Sequence, residues 1–96
     1  MVNLILLPMA SAEYDTAHDW YFADNPARAM RFEAAFARAI DAIARLPEWW
    51  SPHDDRHRFY IMKKFPYVIY YRLEDDLITI VAVAHESQEL DYWQGR

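Results

Sequence analysis

The chain has 96 residues, 54% of them apolar, with no cysteine and a single glycine, Gly95. This composition excludes a disordered chain, a disulfide scaffold, a thiolate metal site and a glycine-rich phosphate loop. The formal charge of −5 argues against a general nucleic-acid binder, whose footprint is usually basic. A second core would not fit, so one domain over residues 1–96 is expected. No apolar run reaches membrane-spanning length, and the start lacks the basic region of a signal peptide. With no thiols to oxidise, a cytoplasmic protein without cofactor or metal is expected.

In chain order, Val2–Leu7 is a nearly continuous apolar run closed by Pro8, which predicts a short buried strand. From Ser11 to Asp24, Ala12, Tyr14, Ala17, Trp20 and Tyr21 recur near helical spacing and predict a first helix. Asn25 and Pro26 form a boundary: Asn25 can cap the next helix and Pro26 suits its first position. From Pro26 to Leu46, Phe32, Phe36, Ile40 and Ile43 make one apolar stripe on a second helix. Residues 47–57 read as a long loop. Arg58–Lys64 and Tyr67–Leu73 read as strands separated by Phe65-Pro66, and Glu74-Asp75-Asp76 as a polar turn. Leu77–Ala84 is the last strand. Strict alternation puts Leu77, Thr79, Val81, Val83 and His85 on one face and Ile78, Ile80, Ala82 and Ala84 on the other. Both faces are mostly apolar, as in a central strand. A polar tail, 86–96, follows.

The charge is patterned along the chain. Residues 1–55 carry nine acids and four bases; residues 56–72 carry Arg56, Arg58, Lys63, Lys64 and Arg72 with no acid; residues 73–96 carry six acids and Arg96. A basic stripe between two acidic segments reads either as solvated strand-face charge or as a face for an anion or an acidic partner. The stretch His53-Asp54-Asp55-Arg56-His57 offers too few ligands to predict a metal site.

Phe65-Pro66-Tyr67-Val68-Ile69-Tyr70-Tyr71-Arg72, then Ile80-Val81-Ala82-Val83-Ala84-His85, then Tyr92-Trp93, together resemble the RelE/ParE superfamily of bacterial toxins from type II toxin–antitoxin (plasmid stabilisation) modules. The resemblance covers nearly the whole chain. It implies an α+β fold, β-α-α-β-β-β, with a helical hairpin packed on one antiparallel sheet of strand order 1-4-3-2. It also implies a cognate antitoxin whose C-terminal segment wraps and neutralises the toxin. ParE-like members stall DNA gyrase by protein contact. RelE-like members cut ribosome-bound mRNA without a metal, using basic side chains and a C-terminal tyrosine.

This sequence departs from the ribonuclease pattern. The arginines expected in the third strand and after the last strand fall on Val68 and on Glu86 or Ser87. Acids beside a scissile phosphate oppose its binding. A ParE-like binder, acting on gyrase, is therefore the leading expectation, a RelE-like endonuclease on ribosome-bound mRNA the alternative, and an inactive relative the third. In the ribonuclease alternative His85 and Tyr92 would be the acid–base groups; otherwise His85 fixes the tail and Tyr92 and Trp93 clamp the core. Trp49, Trp50, Arg58, Lys63, Lys64, Arg72 and Trp93 are the candidate target- or antitoxin-binding residues. One of the adjacent tryptophans is expected to pack on the helix end and the other to face a partner. Lys63 and Lys64 read either as edge-strand protection or as anchors for acidic partner residues. So many aromatic residues in a small chain predict an exposed apolar groove over the hairpin and sheet edge, and a tendency to dimerise without the antitoxin.

Overall fold

A computed structural model describes residues 3–96, so the expected strand start at Val2 lies outside the described residues. In chain order the elements are β1 (Asn3–Leu6), α1 (Pro8–Asp24), α2 (Pro26–Arg45), β2 (Ser51–Pro52), β3 (Arg58–Ile61), β4 (Tyr67–Glu74) and β5 (Leu77–His85). The helices form a hairpin through one residue. The Asn25 side chain accepts from the Ala27 N–H at 2.9 Å, and Pro26 begins α2. Pro8 opens α1 instead of merely closing a strand. Its missing N–H is harmless there, because a first-turn N–H has no helical partner anyway.

The buried line of α2 is Ala29, Phe32, Ala35, Ala39 and Ile43, with Phe36 and Ile40 half-buried beside it. Alanines on that line let α2 approach its neighbours closely. α1 contributes Ala10, Ala17 and Tyr21.

The strand order is β1-β5-β4-β3-β2. It contains the expected order and adds β2, a two-residue pairing of Ser51-Pro52 with β3 inside the predicted loop. The sheet is mixed rather than wholly antiparallel, since β1 runs parallel to β5. An apolar run reads the same in either sense; parallel pairing needs only a long crossover, and everything between β1 and β5 supplies it. β4 and β5 are joined by Asp75-Asp76 with φ of 50° and 63°, the two left-handed residues of a type I′ turn. β3 stops at Ile61, so Lys63 and Lys64 sit in the connection to β4 and not on an edge strand.

One irregularity decides where the site lies. On β4, Tyr70 pairs with Ala82 and Tyr71 with Ile80, leaving Val81 without a partner. Such a bulge shifts the alternation by one residue. Ile78, Ile80 and Val83 therefore join the core under the helices, while Val81 and Ala82 pack with Trp93 in a second cluster. The strict alternation read from the sequence holds up to the bulge and inverts beyond it.

Candidate functional site

β1 ends opposite Ile80, but β5 continues to His85. The edge of β5 beyond Ile80 faces α1 and the C-terminal tail. A groove of about 590 Å³ opens there, lined by Met9, Thr16, Trp20, Val83, His85 and Tyr92 among others. Trp20 is 74% exposed on it. This is the exposed apolar groove that the aromatic load predicted.

At its floor lies Glu13, an α1 residue that nothing in the sequence marks out. Its Oε1 accepts from the Val83 N–H at 3.0 Å and from Arg96 Nη1 at 2.9 Å. Its Oε2 accepts from the Tyr92 hydroxyl at 2.5 Å and from Arg96 Nη2 at 3.2 Å. Arg96 Nη1 also donates to the Val81 carbonyl at 3.1 Å, and its guanidinium lies 5.2 Å from the Tyr92 ring centre. Glu13 and Arg96 side chains are only 18% and 12% exposed. The one signal in the sequence was Arg96, the lone base among the acids of the last segment; its partner 83 residues away carried none.

The structure brings His85 and Tyr92 to this one groove. Burial pushes the Tyr92 hydroxyl well above the ordinary tyrosine range, and the bond to Glu13 and its charge push the same way. A proton held that firmly is a poor one to give to a leaving group. His85 Nδ1 accepts from the Ser87 N–H at 3.0 Å and lies 2.7 Å from the Ser87 hydroxyl, which places the proton of the neutral ring on Nε2. The ring stands edge-on to Tyr67, centres 5.2 Å apart. Val68, where a ribonuclease arginine was expected, shares a small cavity of about 160 Å³ with Ala84, Glu86 and Glu89.

The remaining candidates lie elsewhere. Trp50 packs edge-on against Tyr60 at 4.8 Å and donates its indole N–H to the Ala42 carbonyl at 3.0 Å, on the last turns of α2. Trp49 beside it is 72% exposed. Trp50 and Lys63 share a shallow cleft where the two-residue β2 leaves the Tyr60–Ile61 part of β3 uncovered, across the sheet from the groove. The basic stripe does not present a common face. Arg58 donates to the Trp50 carbonyl at 2.7 Å, Arg72 to the Arg96 carbonyl at 3.0 Å, and Arg56 and Arg72 share Glu74. Only Lys63 and Lys64 of the stripe are exposed without a carboxylate partner among the described residues. Arg72 is mostly buried and Trp93 is 1% exposed, and both hold the tail to the sheet in the chain alone.

The histidine-rich loop closes over Trp93. His53 and His57 lie 5.3 and 4.8 Å from the Trp93 ring. They serve separate carboxylates, Asp91 for His53 and Asp54 for His57. No cluster fit to hold a metal occurs among the described residues. Asp54 accepts from Gln94 Nε2 at 2.9 Å and from the Arg56 and His57 N–H groups at 2.8 Å each. These bonds, that from Gln94 foremost, hold its carboxyl well below the usual carboxylate range. A carboxylate with a depressed folded pKa contributes stability that is complete above its unfolded pKa, about 4, and is lost as pH falls below it. Asp54→Asn should flatten the acid limb of a pH–stability curve below about pH 4; an unchanged limb would show that other carboxylates carry it.

The comparisons agree with this architecture. The family described as "ParE toxin of type II toxin-antitoxin system, parDE" matches residues 4–90. A solved structure from P. aeruginosa, described as its chromosomal ParDE TA system, superposes with a TM-score of 0.72 at 17% identity. The alignment covers 88% of this chain and 96% of that one. No curated protein matches the chain in sequence. No helix among the described residues is long and apolar enough to cross a membrane. The family match over most of the length, on a fold of the same kind, places this chain in the ParE toxin family, within the RelE/ParE superfamily of type II toxin–antitoxin systems.

Proposed function

We propose that the protein acts as a ParE-like toxin by binding a protein target, with DNA gyrase the first to test, and that a cognate antitoxin neutralises it. The observation that carries this reading is the state of Tyr92. Its hydroxyl is bonded to Glu13, and Glu13 already receives Arg96 and the Val83 N–H. Where the resemblance to the ribonuclease members expects arginines, this chain carries Val68 and either Glu86 or Ser87. Like charge there opposes RNA, whereas a binding surface needs no acid–base pair. The exposed side chains of Met9, Trp20, Trp49 and Ile61 provide apolar area for partners and favour self-association when the chain is alone.

The test is growth of a bacterial host after inducing the chain alone, in parallel with Tyr92→Phe. Arrest by both proteins, with accumulation of gyrase–DNA cleavage complexes, is expected. Arrest by the original chain only, with mRNA ends bearing 2′,3′-cyclic phosphate, would establish the endonuclease instead. Growth in both cultures would reject toxicity in that host.

A further inference from the structure

We propose that the groove between α1 and β5 seats a basic, apolar segment of the antitoxin, and that an arginine of that segment replaces Arg96 on Glu13. The inference rests on the antitoxin reading above and adds the chemistry of the contact. Three observations converge on it.

The first is the sheet edge. The bulge turns the Val81 carbonyl and the Val83 N–H toward the side where β1 has already ended. These two groups are met by side chains, Arg96 and Glu13, and not by a strand. Unpaired strand edges take up extended chains through such groups.

The second is Arg96 itself, which behaves as a built-in ligand. It shows that the groove receives a guanidinium in two-pronged contact with Glu13, stacked on Tyr92 and bonded to a β5 carbonyl. That combination of bidentate charge and ring face is selective for arginine-type cations.

The third is the surround. Met9 and Trp20 stand exposed with the small Ala12 and Thr16 between them, a channel for apolar anchors. Glu13 is the one carboxylate in the lining, and the exposed acids Glu86 and Glu89 line the adjoining small cavity, which shares His85, Gln88 and Tyr92 with the groove. The field favours a basic segment and disfavours an acidic one.

The test uses the full chain and two synthetic dodecapeptides, one alternating leucine with arginine and one alternating leucine with glutamate, followed by fluorescence anisotropy. The basic peptide should bind and the acidic one should not. Arg96→Ala should tighten the basic peptide by about tenfold, as loss of an internal competitor requires, and adding Glu13→Gln should abolish that gain. A misfolded variant cannot bind more tightly, so the gain separates competition from damage. Trp20→Ala, at an exposed position, should weaken binding while leaving the fold intact. Preference for the acidic peptide, or equal affinity for the original chain and Arg96→Ala, overturns the proposal. The cognate antitoxin is then added to the peptide complex. Displacement of the peptide supports the assignment. An antitoxin that binds without displacing it overturns the groove as its seat, and one that does not bind at all overturns the antitoxin reading itself.

Discussion

Trp93→Ala should lower stability by about 3–5 kcal/mol, the usual cost of emptying a fully buried aromatic site. A chain of this size holds on the order of 5–15 kcal/mol in total, so the loss is a large fraction. The structural basis is specific. Trp93 fills the cluster on the sheet face away from the helices, against Val81, Ala82 and the Tyr70 ring at 4.6 Å. It also supports the loop through His53 and His57. Its neighbours in sequence, Tyr92 and Arg96, hold Glu13. The variant should therefore release the tail before it unfolds the helical hairpin. Hydrogen exchange should show early loss of protection at Val83, whose N–H depends on Glu13, together with a lower midpoint in denaturant. Simultaneous loss of protection in helices and tail would mean that the two clusters melt as one unit.

Phe32→Ala should cost a comparable amount, about 3–5 kcal/mol, but with a different signature. Phe32 has no exposed surface. Its ring lies 5.2–5.6 Å from those of Tyr14, Tyr21, Phe65 and Tyr67. It thus joins α1, α2 and the turn before β4, and no element can leave without breaking one of these aromatic contacts. The expected result is global two-state unfolding with a melting temperature lowered by about 4–8 °C per kcal/mol. A loss under 1 kcal/mol, measured by denaturant titration, would mean that the neighbouring rings collapse into the space.

The two substitutions probe parts of the molecule that were not equally legible. The helical hairpin could be read from Asn25-Pro26 and the apolar stripe because capping, proline geometry and helical period act between residues a few positions apart. The β4–β5 hairpin could be read for the same reason, from aromatic and β-branched runs around Asp75-Asp76. The motifs Phe65-Pro66-Tyr67, the Ala82–His85 segment and Tyr92-Trp93 led to the toxin superfamily, and the expected order of four strands followed from that resemblance.

The site was less accessible. Tyr92 and His85 stand out in the sequence either as an acid–base pair, in the ribonuclease alternative, or as residues that fix the tail and clamp the core. Glu13, the group that binds Tyr92, sits at the far end of the chain on a helix whose period identifies it only as one polar position among several. In sequence the arginines form a stripe because they follow one another closely. In three dimensions Arg56 and Arg72 meet Glu74, while Arg58 and Arg72 meet backbone carbonyls. Linear charge patterns do not show which charges the fold neutralises.

The sequence by itself determined the helices and their boundary, the main strands, the acidic turn and the family, because each depends on local stereochemistry or a contiguous motif. Tertiary structure alone decided the parallel sense of β1, the extra pairing of Ser51-Pro52, the burial of Trp93 and the meeting of Glu13 with Arg96. It also decided the bulge at Val81, which a period-two pattern cannot reveal, since both faces of β5 are apolar and either register buries hydrocarbon. That one extra residue turns Val83 and His85 toward the helices, and with them places the groove.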